Sequence, residues 1–347
     1  MGLLQACSGT VRGSSRTVLH KKPWECPEGK RPNNGKENLS LRQRSNEQIM
    51  KTVSIIIPMF NSEKYLPALF QCLDSNEFAE GDEILLVDNG STDNTGSLCR
   101  EKTKSCDRYR YFFYNEKADS YAARNYGIRH SSGEILVFTD SDCKPAKEWL
   151  STIRNNIQPG TFIAGNVLLE IVENNVWECF DSITHLSKTR NNVNAGRVAT
   201  ANMAVWKSDL EERVGFFEER FAGGDFAWSR RAVGCGMKLL FLEKALVYHP
   251  SRKTYNEILT REKRSAYGAG KNYRISDKSG FILWTVYFLK IFKFDTYLKL
   301  AKQMRKSGIP VKEVSGFLVR FFGIRAQQLK ATMAGFRGDD PRALGIK

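Results

Sequence analysis

The sequence predicts an α/β protein: one mostly parallel sheet flanked by helices, followed by a helical, basic carboxyl-terminal extension. Three observations carry the prediction. Short apolar runs at residues 53–57, 83–87 and 134–139 recur, closed by Pro58, Asp88 and Asp140 in turn. Helical stretches of about 10–15 residues separate the strands, an alternation that makes βαβ units and a parallel sheet. From residue 251 onward the text turns basic and aromatic.

The 347 residues, 41% hydrophobic and 11% aromatic, suffice for a sizeable core and exclude a disordered chain. No run of about 18 apolar residues offers a membrane span, and the polar, basic start lacks the apolar core of a signal peptide. The expectation is therefore a cytoplasmic chain. The eight cysteines form no Cys-x-x-Cys pair and no metal-like spacing with the four histidines, so disulfides and zinc are not expected. The net charge of +15 belongs to the ends. Residues 1–51 carry ten Lys and Arg against four Asp and Glu, and residues 252–347 carry twenty-one against seven. Basic ends suit an anionic surface, a membrane or a nucleic acid.

In chain order, residues 1–51 form a flexible leader rich in Lys, Arg, Asn, Gly and Ser. A catalytic-type domain occupies 52–250. Its first strand, 53–57, ends at Pro58; a helix spans about 64–74; the second strand ends in Asp88. A helix from about Thr92, a strand at 109–114 and a helix at about 120–130 precede the strand at 134–139. Beyond Trp149 the pattern loosens: a strand at 199–206, a helix at 225–235, and short strands at 239–242 and 245–248. Residues 251–347 make the helical extension.

Asp140-Ser141-Asp142 stands directly after a buried strand, where open α/β sheets place ligand-binding groups. Two carboxylates one residue apart repel unless a divalent cation shares them, and hard cations such as Mg²⁺ take carboxylate and phosphate oxygens together. That points to a phosphate-bearing substrate, although a plain Asp/Ser turn uses the same residues. After the second strand, Gly90 allows a turn and helix capping accounts for Ser91, Thr92 and Asp93. Capping does not account for Asp88, a carboxylate placed to accept from a base N–H or ribose hydroxyls.

Four segments carry a resemblance: Val53-Ser-Ile-Ile-Ile-Pro-Met-Phe-Asn61, Leu86-Val-Asp-Asn-Gly-Ser-Thr-Asp-Asn-Thr95, Ala122-Ala-Arg-Asn-Tyr-Gly-Ile128 and Phe138-Thr-Asp-Ser-Asp142. In order and spacing, over about 200 residues, the chain resembles the family 2 glycosyltransferases. The resemblance implies the A-type glycosyltransferase fold, a nucleotide-diphosphate sugar donor (UDP-linked favoured), Mg²⁺ or Mn²⁺, and inversion by a single displacement. It implies that Pro58, Phe60 and Asn61 line the base pocket and Asp88 holds the base or ribose. Asp140, with Ser141, would meet the donor's ribose or the metal; Asp142 would bind the metal, and His249 would reach metal or diphosphate. Arg124, beside Asn125 on a helix, would reach the diphosphate. The segment Phe221-Ala-Gly-Gly-Asp-Phe-Ala-Trp-Ser-Arg-Arg231 resembles the acceptor site. There Asp225 would be the base, with Gly224, Asn202 and Trp228 as acceptor contacts. The commoner family pattern has Glu-Asp where this chain has Gly224-Asp225 and a further Asp where it has Ala227. This departure leaves one base, and keeps open an inactive relative that binds nucleotide sugar.

In the tail, Phe281-Ile-Leu-Trp-Thr-Val-Tyr-Phe-Leu289 and Phe317-Leu-Val-Arg-Phe-Phe322 are apolar, too short to span and flanked by cations. They fit in-plane binding to an anionic membrane, peripheral on its inner face, or packing on the catalytic domain. A saccharide or lipid-linked acceptor would suit the first. A nucleic-acid partner is not expected, since the charge lies outside the core and no recognition motif is present.

Overall fold

A computed structural model describes residues 51–116, 119–185, 189–276 and 279–346; the expected leader lies outside them except for Lys51. The first half is a βα alternation: β1 (Val53–Met59), α1 (Leu66–Asp74), β2 (Glu83–Asp88), α2 (Thr95–Ser105), β3 (Tyr109–Phe113), α3 (Ser120–His130) and β4 (Ile135–Thr139). These four strands pair in parallel in the order β3-β2-β1-β4. Then come β5 (Lys144–Pro145), α4 (Trp149–Asn156), β6 (Thr161–Glu170), α5 (Val176–Thr184), α6 (Thr189–Asn194), β7 (Asn202–Trp206), α7 (Gly224–Gly234) and β8 (Lys238–Pro250). They extend the sheet in the order β7-β6-β8-β5, and β7 joins β4 antiparallel.

Strand side chains alternate between two covered faces, which is why these strands read as unbroken apolar runs. Ile55, Ile57, Leu86 and Val137 pack under α1, α2 and α4. Ile56, Leu85, Val87 and Phe138 pack under α3 and α7. The expected elements shift in places. β1 runs through Pro58 to Met59; its pairing with β4 has already ended at Ile56, so a residue without an N–H is tolerated there. α2 starts at Thr95 rather than Thr92, because Ser91, Thr92 and Asp93 bond to neighbouring loops. The two short strands expected at 239–248 are one strand, whose pairing with β6 jumps from Gly165↔Leu242 to Asn166↔Leu246.

The remaining chain is helical: α8 (Tyr255–Ile275), α9 (Gly280–Ile291), α10 (Phe294–Lys306) and α11 (Val311–Arg337). Its core recruits α5 from the middle of the chain, packing Trp177 and Phe180 against Ile258, Leu300, Phe317 and Phe321. α8 and α11 touch through glycine: a β-carbon on Gly270 would lie 1.9 Å from the Thr332 carbonyl oxygen, and one on Gly335 2.1 Å from that of Tyr267.

Candidate active site

Parallel pairing of β1 with β2 and β4 delivers three loops to the same edge of the sheet. They are stitched together there. Asn61, in the left-handed region at φ 49°, accepts from the Thr92 N–H at 2.8 Å and donates its own N–H to Ser91 Oγ at 2.9 Å. Ser62 and Ser141 share a hydroxyl bond of 2.7 Å, tying the first loop to the acidic triplet. Phe60 leaves this frame as an open ring, 55% exposed. Asp88 is 2% exposed and accepts from the Ser91 N–H at 2.8 Å and the Tyr111 hydroxyl at 2.9 Å. Each carboxylate oxygen keeps one further acceptor site. Burial, with this bond to Asp88, pushes the Tyr111 phenol up to about 12.

The acidic pair sits between two basic groups. Arg124, 4% exposed, ion-pairs with Asp140 and donates to the Ser120 carbonyl at 3.3 Å; its Nε is buried without a partner among the described residues. The guanidinium is therefore aimed at Asp140 in this state. On the other side, His249 Nε2 lies 3.5 Å from Asp142 Oδ2, and His249 Nδ1 is 2.8 Å from the Pro250 carbonyl oxygen. A carbonyl only accepts, so Nδ1 carries a hydrogen, and Nε2 is the ring atom turned toward the carboxylate oxygen. Burial, then the neighbouring Asp140, pushes the Asp142 carboxyl above its usual range, while His249 opposes the rise.

Oxygens of Asp140 and Asp142 lie within 4.8 Å of each other, a carboxylate pair of the kind that takes Mg²⁺ or Mn²⁺, and Nε2 of His249 adjoins Asp142 at 3.5 Å. The Cys143 thiol also lies within the acidic cluster. It is wholly buried in the core under the sheet, and burial pushes it well above its ordinary value, so it packs rather than ligates. His185 stands 6.0 Å from His249, ring to ring. Burial and then Arg252 and Arg261 lower it to about 2, so it stays neutral.

Asp225 begins α7, after Gly223 in the left-handed region at φ 75°. Its Oδ1 accepts from the Phe226 N–H at 2.9 Å and from the Tyr121 hydroxyl at 3.1 Å. Burial raises its carboxyl above the usual range, and these bonds only moderate the rise. Tyr121 lies against Gly224, where a β-carbon would come within 2.8 Å of the ring. Gly224 thus makes room for Tyr121 rather than for a sugar. Tyr121 and Arg124 are three residues apart on α3, on one helix face. One helix therefore holds both Asp225 and Asp140.

Several expected ligand contacts prove internal. Asn125 closes a two-bond clamp with the backbone of Phe217, donating to its carbonyl at 2.8 Å and accepting from its N–H at 3.0 Å, and so is no donor contact. Asn202 is buried; it accepts from Trp149 Nε1 at 2.9 Å and donates to the Asn166 and Ala245 carbonyls at 2.8 Å. Those bonds pin β7 to its neighbours and remove Asn202 from the acceptor face. Trp228 is a core residue, packed edge-on against Phe162 at 5.6 Å, with Nε1 donating to the Gly215 carbonyl. Pro58 is buried in β1, and the Asn61 side chain is held by the second loop. Tyr111, Tyr121 and Ser62 escaped the sequence reading. For Tyr121 a signal existed: a bulky aromatic beside Ala122-Ala123, paired with a glycine where an acid is commoner.

The family model described as glycosyl transferase family 2 matches residues 54–233. Glycosyltransferase AglE of Haloferax volcanii is 33% identical over 222 residues, 62% of this chain and 72% of that protein. The GalNAc(5)-diNAcBac-PP-undecaprenol beta-1,3-glucosyltransferase of Campylobacter jejuni is 27% identical over 234 residues, 65% of this chain and 71% of that protein. A mannosyltransferase from Pyrobaculum calidifontis, solved in complex with GDP-Man and Mn²⁺, superposes with a TM-score of 0.55 at 15% identity. The match covers 84% of this chain and 89% of that one, and it shows a shared fold.

Proposed function

The chain belongs to glycosyl transferase family 2, and from that membership and the site's geometry we propose an inverting, metal-assisted transfer. The donor is a nucleotide-diphosphate sugar, UDP-linked in the first instance. The acceptor is a hydroxyl of a saccharide or lipid-linked saccharide in cell-envelope glycan assembly, at the inner face of an anionic membrane. The undecaprenol named in the Campylobacter jejuni relative supports the lipid-linked choice. One observation carries the reading: α3 holds the donor-side Asp140 through Arg124 and the acceptor-side Asp225 through Tyr121.

Phe60 offers a face for the base, and Asp88 the remaining acceptor sites of its carboxylate for base or ribose. Asp225 takes the proton of the attacking hydroxyl. Its raised carboxyl makes it a stronger base than a free aspartate. A divalent cation held by Asp140, Asp142 and His249 Nε2 would offset charge on the departing diphosphate. Arg124 neutralises Asp140 from the protein side and stands ready to turn to the phosphates.

Thermal shift against UDP-, GDP-, dTDP- and CMP-linked sugars, with and without Mn²⁺, tests the donor site. One nucleotide is expected to raise the melting temperature only with the metal, and Asp142→Ala to abolish that rise. Silence from the whole panel would sink the donor reading. The pH profile tests Tyr121. A base with a raised carboxyl loses activity on acidification well above the ordinary aspartate value of about 3.9. Tyr121→Phe removes a bond to the charged form, which raises the carboxyl further. The acid limb of kcat/KM should therefore move up by about one pH unit; an unmoved limb would leave Tyr121 a packing residue.

A further inference from the structure

We propose that α9, the start of α10 and the outer face of α11 form an in-plane docking surface for an anionic phospholipid bilayer. The surface deepens the proposed reading of a lipid-linked acceptor, to which it would bring the catalytic site. α9 reads Gly-Phe-Ile-Leu-Trp-Thr-Val-Tyr-Phe-Leu-Lys-Ile, with one charge in 12 residues. Such a helix is apolar on every side and belongs in an interior. Yet only Leu283 and Ile291 are buried; Phe281 is 74% exposed, and Ile282, Trp284, Val286 and Leu289 are also open. The exposed groups are continuous rather than scattered. Trp284 stacks on Phe288 at 4.7 Å, Phe288 meets Phe292 at 5.3 Å, and Phe292 meets Phe322 of α11 at 6.1 Å. Phe294, Leu298 and Val319, the last 76% exposed, add to the same helices. Contiguous exposed apolar surface of this kind marks a contact site.

Charge and length select the occupant. Residues 280–325 carry nine Lys and Arg against two acids, with Lys293, Lys302, Lys312 and Arg320 exposed. A second copy of the chain would bring like charge against like, whereas an anionic leaflet is complementary. The 12 residues of α9 rise about 18 Å, against about 30 Å of hydrocarbon. No described helix is long and apolar enough to cross a membrane. Burying α9 in lipid therefore means lying in the interface, its apolar side down and cations at headgroup level. A cavity of about 620 Å³ between α5, α8, α10 and α11 is lined by Phe180, Leu300 and Phe321 together with Lys299, Lys302, Arg325 and one acid, Glu262.

Flotation of the full chain with vesicles tests this surface, using phosphatidylcholine alone or mixed with phosphatidylglycerol. Binding should require the anionic lipid and weaken with salt. Phe281→Asp with Leu289→Asp should cut partitioning at least about tenfold, or 1.4 kcal/mol. Reversing Lys293, Lys302 and Arg320 to Glu should do the same without touching the apolar face. Both variants should keep their melting temperature and their metal-dependent donor shift, which separates failure of the surface from failure of the active site. Unchanged partitioning in both variants, or equal binding to phosphatidylcholine alone, would overturn the proposal. So would a chain that is dimeric in solution and made monomeric by Phe281→Asp.

Discussion

Asp225→Asn is expected to lower turnover by about 10²–10⁴-fold, the range for removal of a general base, while the metal-dependent donor shift persists. The substitution preserves shape, and an amide oxygen still accepts from the Tyr121 hydroxyl and the Phe226 N–H, which bond Asp225 at 3.1 and 2.9 Å. Only the capacity to take a proton is lost. Within the segment from Phe221 to Arg231 no other acid is present to take its part. Steady-state kinetics beside the thermal shift make the check. Near-full activity would move the base elsewhere, and loss of donor binding as well would mean that Asp225 shapes the site instead.

The second large effect concerns stability, and its sign reverses along a single helix. Glycine to alanine inside a helix ordinarily stabilises by about 0.5–1 kcal/mol. Gly316→Ala and Gly323→Ala in α11, where an added β-carbon meets nothing within 4 Å, should show that gain. Gly335→Ala should not. Its β-carbon would sit 2.1 Å from the Tyr267 carbonyl oxygen, a contact only backbone movement relieves, and α8 bears the mirror constraint at Gly270. Overpacking costs about 1–3 kcal/mol, more where backbone must shift, so the penalty exceeds the propensity gain. Melting temperatures of the three variants should split, two rising and one falling. A rise in Gly335→Ala would show that the helices have room to part.

The parallel half of the sheet was legible because burial on both faces writes unbroken apolar runs, each ending at the edge where the loops gather. Asp140, Asp142, Asp88 and Asp225 were legible as carboxylates at strand or helix ends, and for Asp88 capping gives no account. The chain beyond Trp149 was harder to read. β6 went unread because Gly165-Asn166 interrupts its alternation at the place where its pairing with β8 jumps. Asn125, Asn202 and Trp228 misled for a shared reason. A polar or aromatic side chain beside a motif has the same letter whether it faces a ligand or completes an internal hydrogen bond, and only tertiary partners such as Phe217, Trp149 and Gly215 distinguish the two. Tyr121 was missed because its partner lies 104 residues away.

The position of α3 bears on how such a protein diversifies. The proposed donor loops all precede residue 143, and the segment that ends in Asp225 comes after residue 200. The two parts meet along β4 and β7, at Tyr121 against Gly224 and Asp225, and at Asn125 against Phe217. A chimera that imports the later half from a relative with Glu at position 224 would press a side chain into the Tyr121 ring. Tyr121 and Gly224 therefore form a single heritable unit across the graft line. A working chimera across this seam requires that the pair travel together.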